Sequence, residues 1–134
     1  MTRNAIAATL LVVVHQGIAI AHGQAHEQLG VDLAIWQWVY VYFVITIAPV
    51  IAALFYWTRW QRFGAVLLTV SILGSFLFGV YHHFVAVSPD HVSHLPEGDA
   101  QGLFVATAIL LAISEAAGVA LGVWTWRSPQ PAIA

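Results

Sequence analysis

Four long apolar segments occupy most of the chain, approximately over residues 5–21, 33–57, 63–83 and 102–126. A helix that rises ~1.5 Å per residue needs ~20 residues to cross a ~30 Å hydrocarbon layer, and each segment is close to that length. Only 7% of the residues are charged, whereas soluble domains contain about a quarter. The sequence therefore predicts an all-α membrane protein, a single domain over residues 1–134 with four antiparallel transmembrane helices in a bundle.

The four basic residues predict the orientation of these helices. They are Arg3, Arg59, Arg62 and Arg127. All of them precede the first segment, follow the fourth or lie between the second and third, and short loops rich in arginine stay in the cytoplasm. We therefore expect both termini to be cytoplasmic and the protein to lie in a bacterial inner membrane. No basic patch suggests a nucleic-acid partner.

The first segment also has features of a signal peptide. The residues MTRN precede an apolar run, and Ala19-Ile20-Ala21 matches a small-residue cleavage site. His15, Gln16 and Gly17 interrupt the apolar run, which favours a retained helix over a cleaved leader.

Six of the seven histidines fall near the predicted outer face. They are His22, His26, His82, His83, His91 and His94. Imidazole is the commonest metal ligand, and two histidines at i and i+4 can bind one ion from one helical face. Solvated polar histidines and axial ligation of a haem are the alternatives. Because six histidines occur together, we interpret them as ligands of a transition-metal site, half of it formed by residues 81–99.

The chain contains no cysteine, and Met1 is its only methionine. The soft ligands that select Cu(I) are therefore missing, and Zn(II), Cu(II), iron and manganese remain. A site rich in histidine and poor in carboxylates suits zinc or copper best. Asp90 and Glu97 are candidates for orienting the imidazoles.

Two ionisable residues, His15 and Glu115, lie inside predicted spans, where a charge is costly unless it is paired or neutralised. We assign them as candidate catalytic or proton-handling residues. Counted from the predicted outer boundary, His15 is about six residues deep and Glu115 about twelve, an offset of roughly 9 Å. Direct pairing would then need helix tilt or a bridging water. A protonated Glu115 bonded to hydroxyls such as those of Thr46 and Ser71 is the structural alternative.

Helical spacing groups further polar residues. His15, His22 and His26 share one face of the first helix, and Ser71, Ser75 and His82 share one face of the third. The short spacings at His22/His26, His82/His83 and His91/His94 resemble the histidine boxes of membrane fatty-acid desaturases and hydroxylases. Those enzymes are longer, contain more histidines and carry their boxes on the cytoplasmic side, so no catalytic role is transferred here.

Three functional classes fit this sequence. The first is a metal-dependent membrane oxidoreductase that acts on a lipophilic small molecule. The second is a metal-handling or transport protein with a polar route inward. The third is a haem-binding or non-catalytic subunit of a membrane complex. The expected partners are the lipid bilayer and, in some of these classes, a lipophilic substrate or further copies of the chain.

Overall fold

A computed structural model of the protein describes residues 2–128. Four helices account for most of this range: α1 (Thr2–Leu29), α2 (Ile35–Phe55), α3 (Gln61–Val85) and α4 (Gln101–Arg127). All four are long and apolar enough to cross a membrane. The described residues contain no strand, which agrees with the predicted all-α membrane class.

The first helix is longer than the apolar pattern predicts. We expected it to end near residue 21, but α1 continues through the polar sequence HGQAHEQL to Leu29. Gly30 then ends the helix with a positive φ of 65°, a conformation that glycine adopts without a steric penalty. Apolar residues mark the part of a helix that meets lipid. They do not mark where its hydrogen bonds end, so the prediction missed the last two turns.

Helix α4 packs along both α1 and α3, while α2 packs against α3 and α1. Two clusters of buried apolar residues lie between the helices. The alanine core consists of Ala5, Ala8, Val12, Ala52, Ala53, Tyr56, Ala65, Leu68 and Ile72. The second cluster consists of Ala25, Leu29, Val31, Ala100 and Phe104, and Val92 and Leu95 from the loop that connects α3 to α4 pack against it. We call this end of the bundle the histidine end, because His22, His26 and His83 are buried there.

Small residues allow the helices to approach closely at the alanine core. A Cβ added at Gly118 would lie 3.0 Å from Ile72 Cγ2 and 3.1 Å from Leu11 Cδ2. A Cβ at Gly122 would lie 3.0 Å from the carbonyl oxygen of Ala65. The GxxxG motif of α4 therefore packs within the chain, as small residues do at many membrane helix interfaces.

Two of the helices contain π-helical segments, Val41–Ile47 in α2 and Tyr81–Val85 in α3. In α2, Pro49 cannot donate a backbone hydrogen bond to the carbonyl of Ile45. The side chain of Gln16 donates to that carbonyl instead, at 3.1 Å. Short π-helical segments are frequent at functional sites, and both of these lie toward the histidine end.

The outward faces carry large, exposed apolar side chains. Leu10, Val14, Phe43, Leu54, Val70 and Ile113 are examples. An apolar surface of this extent is unfavourable in water and compatible with contact to lipid. The chain therefore has the features of a multi-pass membrane protein.

Candidate metal centre

Three histidines from two helices converge at the histidine end. Each of His22, His26 and His83 offers one ring nitrogen, and these three nitrogens lie within 4.8 Å of one another. The three residues are at most 8% exposed. The three residues could therefore hold a metal ion, and we call them the histidine triad.

Hydrogen bonds at the Nδ1 atoms define the tautomer of each ring. His26 Nδ1 faces the carbonyl of Val31 at 3.1 Å, and His83 Nδ1 faces the carbonyl of Asp90 at 3.2 Å. A carbonyl oxygen only accepts hydrogen bonds, so both Nδ1 atoms carry the proton. The turn at Gly30 creates the first contact by returning the chain toward His26.

The third ring, His22, has the same tautomer for a different reason. Its Nδ1 lies 2.8 Å from the hydroxyl oxygen of Thr107. That hydroxyl donates its own proton to the carbonyl of Leu103 or Phe104 within α4. Thr107 therefore accepts from His22 Nδ1, and the lone pair of His22 is on Nε2.

These assignments leave two lone pairs facing each other. His22 Nε2 and His83 Nε2 are 3.2 Å apart, and neither carries a proton in the tautomers above. Such a contact is repulsive unless a cation lies between the nitrogens. Two nitrogens at ~2.0–2.1 Å from one tetrahedral zinc ion would be about 3.3 Å apart, so the observed separation suits a shared metal ion.

A buried carboxylate lies next to the triad. Asp90 Oδ1 is 3.3 Å from His26 Nε2 and 3.1 Å from His83 Nδ1, and Asp90 is 7% exposed. Neither carboxylate oxygen has a hydrogen bond of good geometry within residues 2–128. A buried carboxylate without such partners is costly, and a cation held by the triad would offset its charge.

An aromatic wall and a small cavity complete the site. The ring of Phe104 is fully buried, and its centroid lies 4.6 Å, 4.8 Å and 5.4 Å from those of His22, His26 and His83. A cavity of about 100 Å³ opens beside the triad. Apolar residues of α2, including Trp38, Val41 and Ile45, form its opposite wall.

The π-helical segment of α3 explains why His83, and not His82, joins the triad. The amide of Ala86 donates to the carbonyl of Tyr81, five residues earlier, at 2.7 Å. This wider turn shifts the inward position by one residue relative to the α-helical stripe predicted for Ser71, Ser75 and His82. His82 instead packs against Phe78, with ring centroids 4.5 Å apart.

The other two predicted ligands lie apart from the triad. His91 and His94 contact each other in the loop between α3 and α4, with their Nδ1 atoms 3.2 Å apart. His94 is exposed and His91 is half-buried. The loop does fold back over the histidine end, but Asp90 is the residue that it brings to the triad.

His15 and Glu115 pair directly. His15 Nε2 lies 3.2 Å from Glu115 Oε1, and Ser75 donates a hydrogen bond to the same oxygen. The predicted 9 Å offset in depth was wrong because α1 is longer than expected. His15 lies 14 residues before the end of α1 and Glu115 lies 14 residues after the start of α4, so their depths match. Ser75 has the position that the alternative interpretation gave to Ser71 or Thr46.

Three contributors to the site were not singled out from the sequence: Thr107, Phe104 and Gly79, the last of which lines the cavity beside the triad. Thr107 offered a signal, because it is a hydroxyl residue in an otherwise apolar stretch of α4. Phe104 and Gly79 have no distinguishing sequence context, since apolar residues and glycines are common in membrane helices.

Comparison with models of protein families, with curated proteins and with solved structures finds no match to this chain. Neither a family nor a related fold therefore indicates its function.

Proposed function

We propose that this protein binds one transition-metal ion through the histidine triad of His22, His26 and His83. The observation that carries the proposal is the convergence of one ring nitrogen from each of the three histidines within 4.8 Å. The Nε2 atoms of His22 and His83 are 3.2 Å apart, while each Nδ1 has a hydrogen-bond acceptor of its own. Metal-binding histidines usually have such an acceptor at the second nitrogen, because it fixes the ring orientation and tautomer.

The ion would be zinc, copper or iron. Three imidazoles without a thiolate suit Zn(II) or Cu(II), and three protein ligands leave one coordination position for an external ligand. That arrangement is typical of catalytic rather than structural metal sites. It favours a metal-dependent membrane enzyme over a purely structural site. The reaction class would be an oxidoreductase if the ion is copper or iron, because Zn(II) has no redox chemistry.

The size of the cavity limits what could react there. Pockets for cofactors or drug-sized ligands measure ~300–1,000 Å³, whereas this cavity measures about 100 Å³. A lipophilic substrate would therefore place only a small end group beside the metal. The same volume favours a metal ion over a haem.

The topology that we propose has antiparallel helices and cytoplasmic termini. The order of contacts supports the antiparallel arrangement: His15 meets Glu115, whereas His22, later in α1, meets Thr107, earlier in α4. The one-sided arginines support the orientation, which places the histidine end at the periplasmic face of a bacterial inner membrane.

Metal stoichiometry tests the proposal. Protein purified without a histidine tag, loaded with Zn(II) or Cu(II) and dialysed, should retain one ion per chain by elemental analysis. Alanine variants of the triad should each lose most of that ion, because a three-ligand site becomes a two-ligand site.

His82, His91 and His94 provide matched controls, since they are histidines of the same end that lie outside the triad. Their alanine variants should retain the ion. A wild-type protein that retains no ion, or an ion lost equally from all six variants, would exclude the triad as its binding site.

A further inference from the structure

A second polar cluster lies deeper between the helices. The Glu115 cluster consists of His15, Ser75 and Glu115, which are 0%, 1% and 3% exposed. Both hydrogen-bonding contacts of the carboxyl group involve Oε1, which faces Ser75 and His15. Within residues 2–128, Oε2 has no hydrogen-bond partner. Any proton that Glu115 gains or loses is therefore best accommodated on Oε2.

The free oxygen of this carboxyl group faces the metal cavity across a glycine. A Cβ added at Gly79 would lie 4.0 Å from Glu115 Oε2 and 3.8 Å from His83 Cδ2. Gly79 also lines the cavity beside the triad. Any other residue at position 79 would place a Cβ between Oε2 and the cavity. Because glycine has no side chain, this space is a gap.

Beyond Glu115 the interior is closed. Val12, Leu68 and Ile72 of the alanine core are at most 4% exposed. One turn further along α4, a Cβ at Gly118 would already be in tight contact with Ile72. A route that starts in the cavity and passes Gly79 therefore ends at the Glu115 cluster. Such a dead end suits a group that stores a proton better than a path that carries a metal ion across the membrane.

We infer that Glu115 is a proton acceptor and donor for the metal cavity, and that Gly79 keeps open the passage between them. The use of this proton at a metal centre rests on the proposed function, whereas the passage itself does not. When a proton leaves the cavity, an O–H bond of a hydronium ion there breaks as an O–H bond forms at Oε2, so that the hydronium becomes water and the carboxylate becomes neutral. In the reverse step that bond breaks, the proton returns to a water in the cavity, and the carboxylate is restored.

The surroundings of Glu115 fit this role. The ionisable side chains that face it are His15 from α1 and, across Gly79, His83 from α3. Asp90, next to His83, lines the same cavity. Helix α2 carries only Tyr40 and Tyr42 as ionisable residues. A cavity of about 100 Å³ has room for roughly three waters, since a water occupies ~30 Å³ in the liquid.

Infrared spectroscopy of the protein in lipid vesicles tests the inference. A protonated Glu115 gives a carboxylic-acid C=O band that Glu115→Gln removes and that shifts when the proton exchanges for deuterium. In the wild type, the band should shift promptly after mixing with D2O. In Gly79→Val, whose side chain fills the gap, exchange should be slower by about tenfold or more. Gly79→Ala, whose Cβ fits without a clash, should give an intermediate rate, and Gly17→Val, on an open face of α1, should match the wild type.

Zinc stoichiometry of the same samples separates this inference from the metal proposal. The wild type could bind no zinc and still show prompt deuterium exchange at Glu115 that slows when residue 79 is changed. That result would support the passage and contradict the metal centre. Equal exchange rates in the wild type, Gly79→Ala and Gly79→Val would overturn the passage even if zinc binds. If no carboxylic-acid band depends on Glu115 at any pH at which the protein is folded, the role of Glu115 would be overturned.

Discussion

Thr107→Val should weaken metal binding without contacting the metal. The hydroxyl oxygen of Thr107 accepts a hydrogen bond from His22 Nδ1 at 2.8 Å. Valine has nearly the same shape as threonine but no acceptor. The N–H group at His22 Nδ1 would then be buried without a hydrogen-bond partner, because His22 is only 6% exposed. His22 could avoid this cost by moving its proton to Nε2, but it could then no longer bind the ion.

The size of the effect follows from that choice. A buried donor without a partner costs ~1–3 kcal/mol, and each ~1.4 kcal/mol corresponds to a tenfold change in affinity. We therefore expect the zinc affinity to fall about 10- to 100-fold, the usual loss when a group that orients a ligand is removed. The measurement is a competition titration of zinc against a chelator, with the protein held in detergent or lipid.

Thr125→Val is the matched control. Thr125 is fully buried on the same helix, near its other end and far from the triad. This variant should bind zinc as the wild type does. Equal affinities for both valine variants would refute the tautomer assigned to His22, and equal losses would show that the effect is not specific to the site.

Three other predictions concern the fold, the charge of the site and the topology. Gly122→Ala should destabilise the protein by ~1–3 kcal/mol through overpacking against Thr69 and Ala65, measured by unfolding in detergent. Gly17→Ala, whose Cβ meets no atom within 4 Å, should be neutral or stabilising; a Gly122→Ala variant as stable as the wild type would contradict the close packing. Asp90→Asn should lower zinc affinity about 10- to 100-fold. It should also make the metal-free protein more resistant to heat, because a buried charge is removed; a less stable metal-free variant would instead indicate that Asp90 is paired with a protonated histidine. Among single cysteines at the exposed positions Gln28 and Thr58, an impermeant thiol reagent should label Gln28→Cys from the periplasm and Thr58→Cys only after the membrane is opened, and the reverse pattern would overturn the topology.

The membrane-spanning segments were predictable because burial in lipid demands long apolar runs. The stripe of His15, His22 and His26 was predictable for a similar reason, since a regular helix repeats every 3.6 residues. These three side chains are all buried in the structure. Pattern reading was reliable wherever the helix was regular.

Prediction from the sequence pattern failed where the backbone departs from regular helix geometry. The π-helical turn at Tyr81–Val85 exchanged His82 for His83 at the inward position, and no sequence rule locates such a turn. The polar extension of α1 to Leu29 changed the depth of His15 and brought it level with Glu115. The loop position of Asp90 depends on tertiary contacts, which local sequence does not determine.

X-ray absorption spectroscopy of the zinc-loaded protein tests the central claim most directly, because it counts the ligands of the bound ion. The account predicts three imidazole ligands in the wild type and in His82→Ala. In His83→Ala it predicts loss of most of the ion, and at most two imidazoles around any ion that remains. An ion surrounded by oxygen ligands alone, or an imidazole count that His83→Ala leaves unchanged, would contradict a metal centre built from His22, His26 and His83.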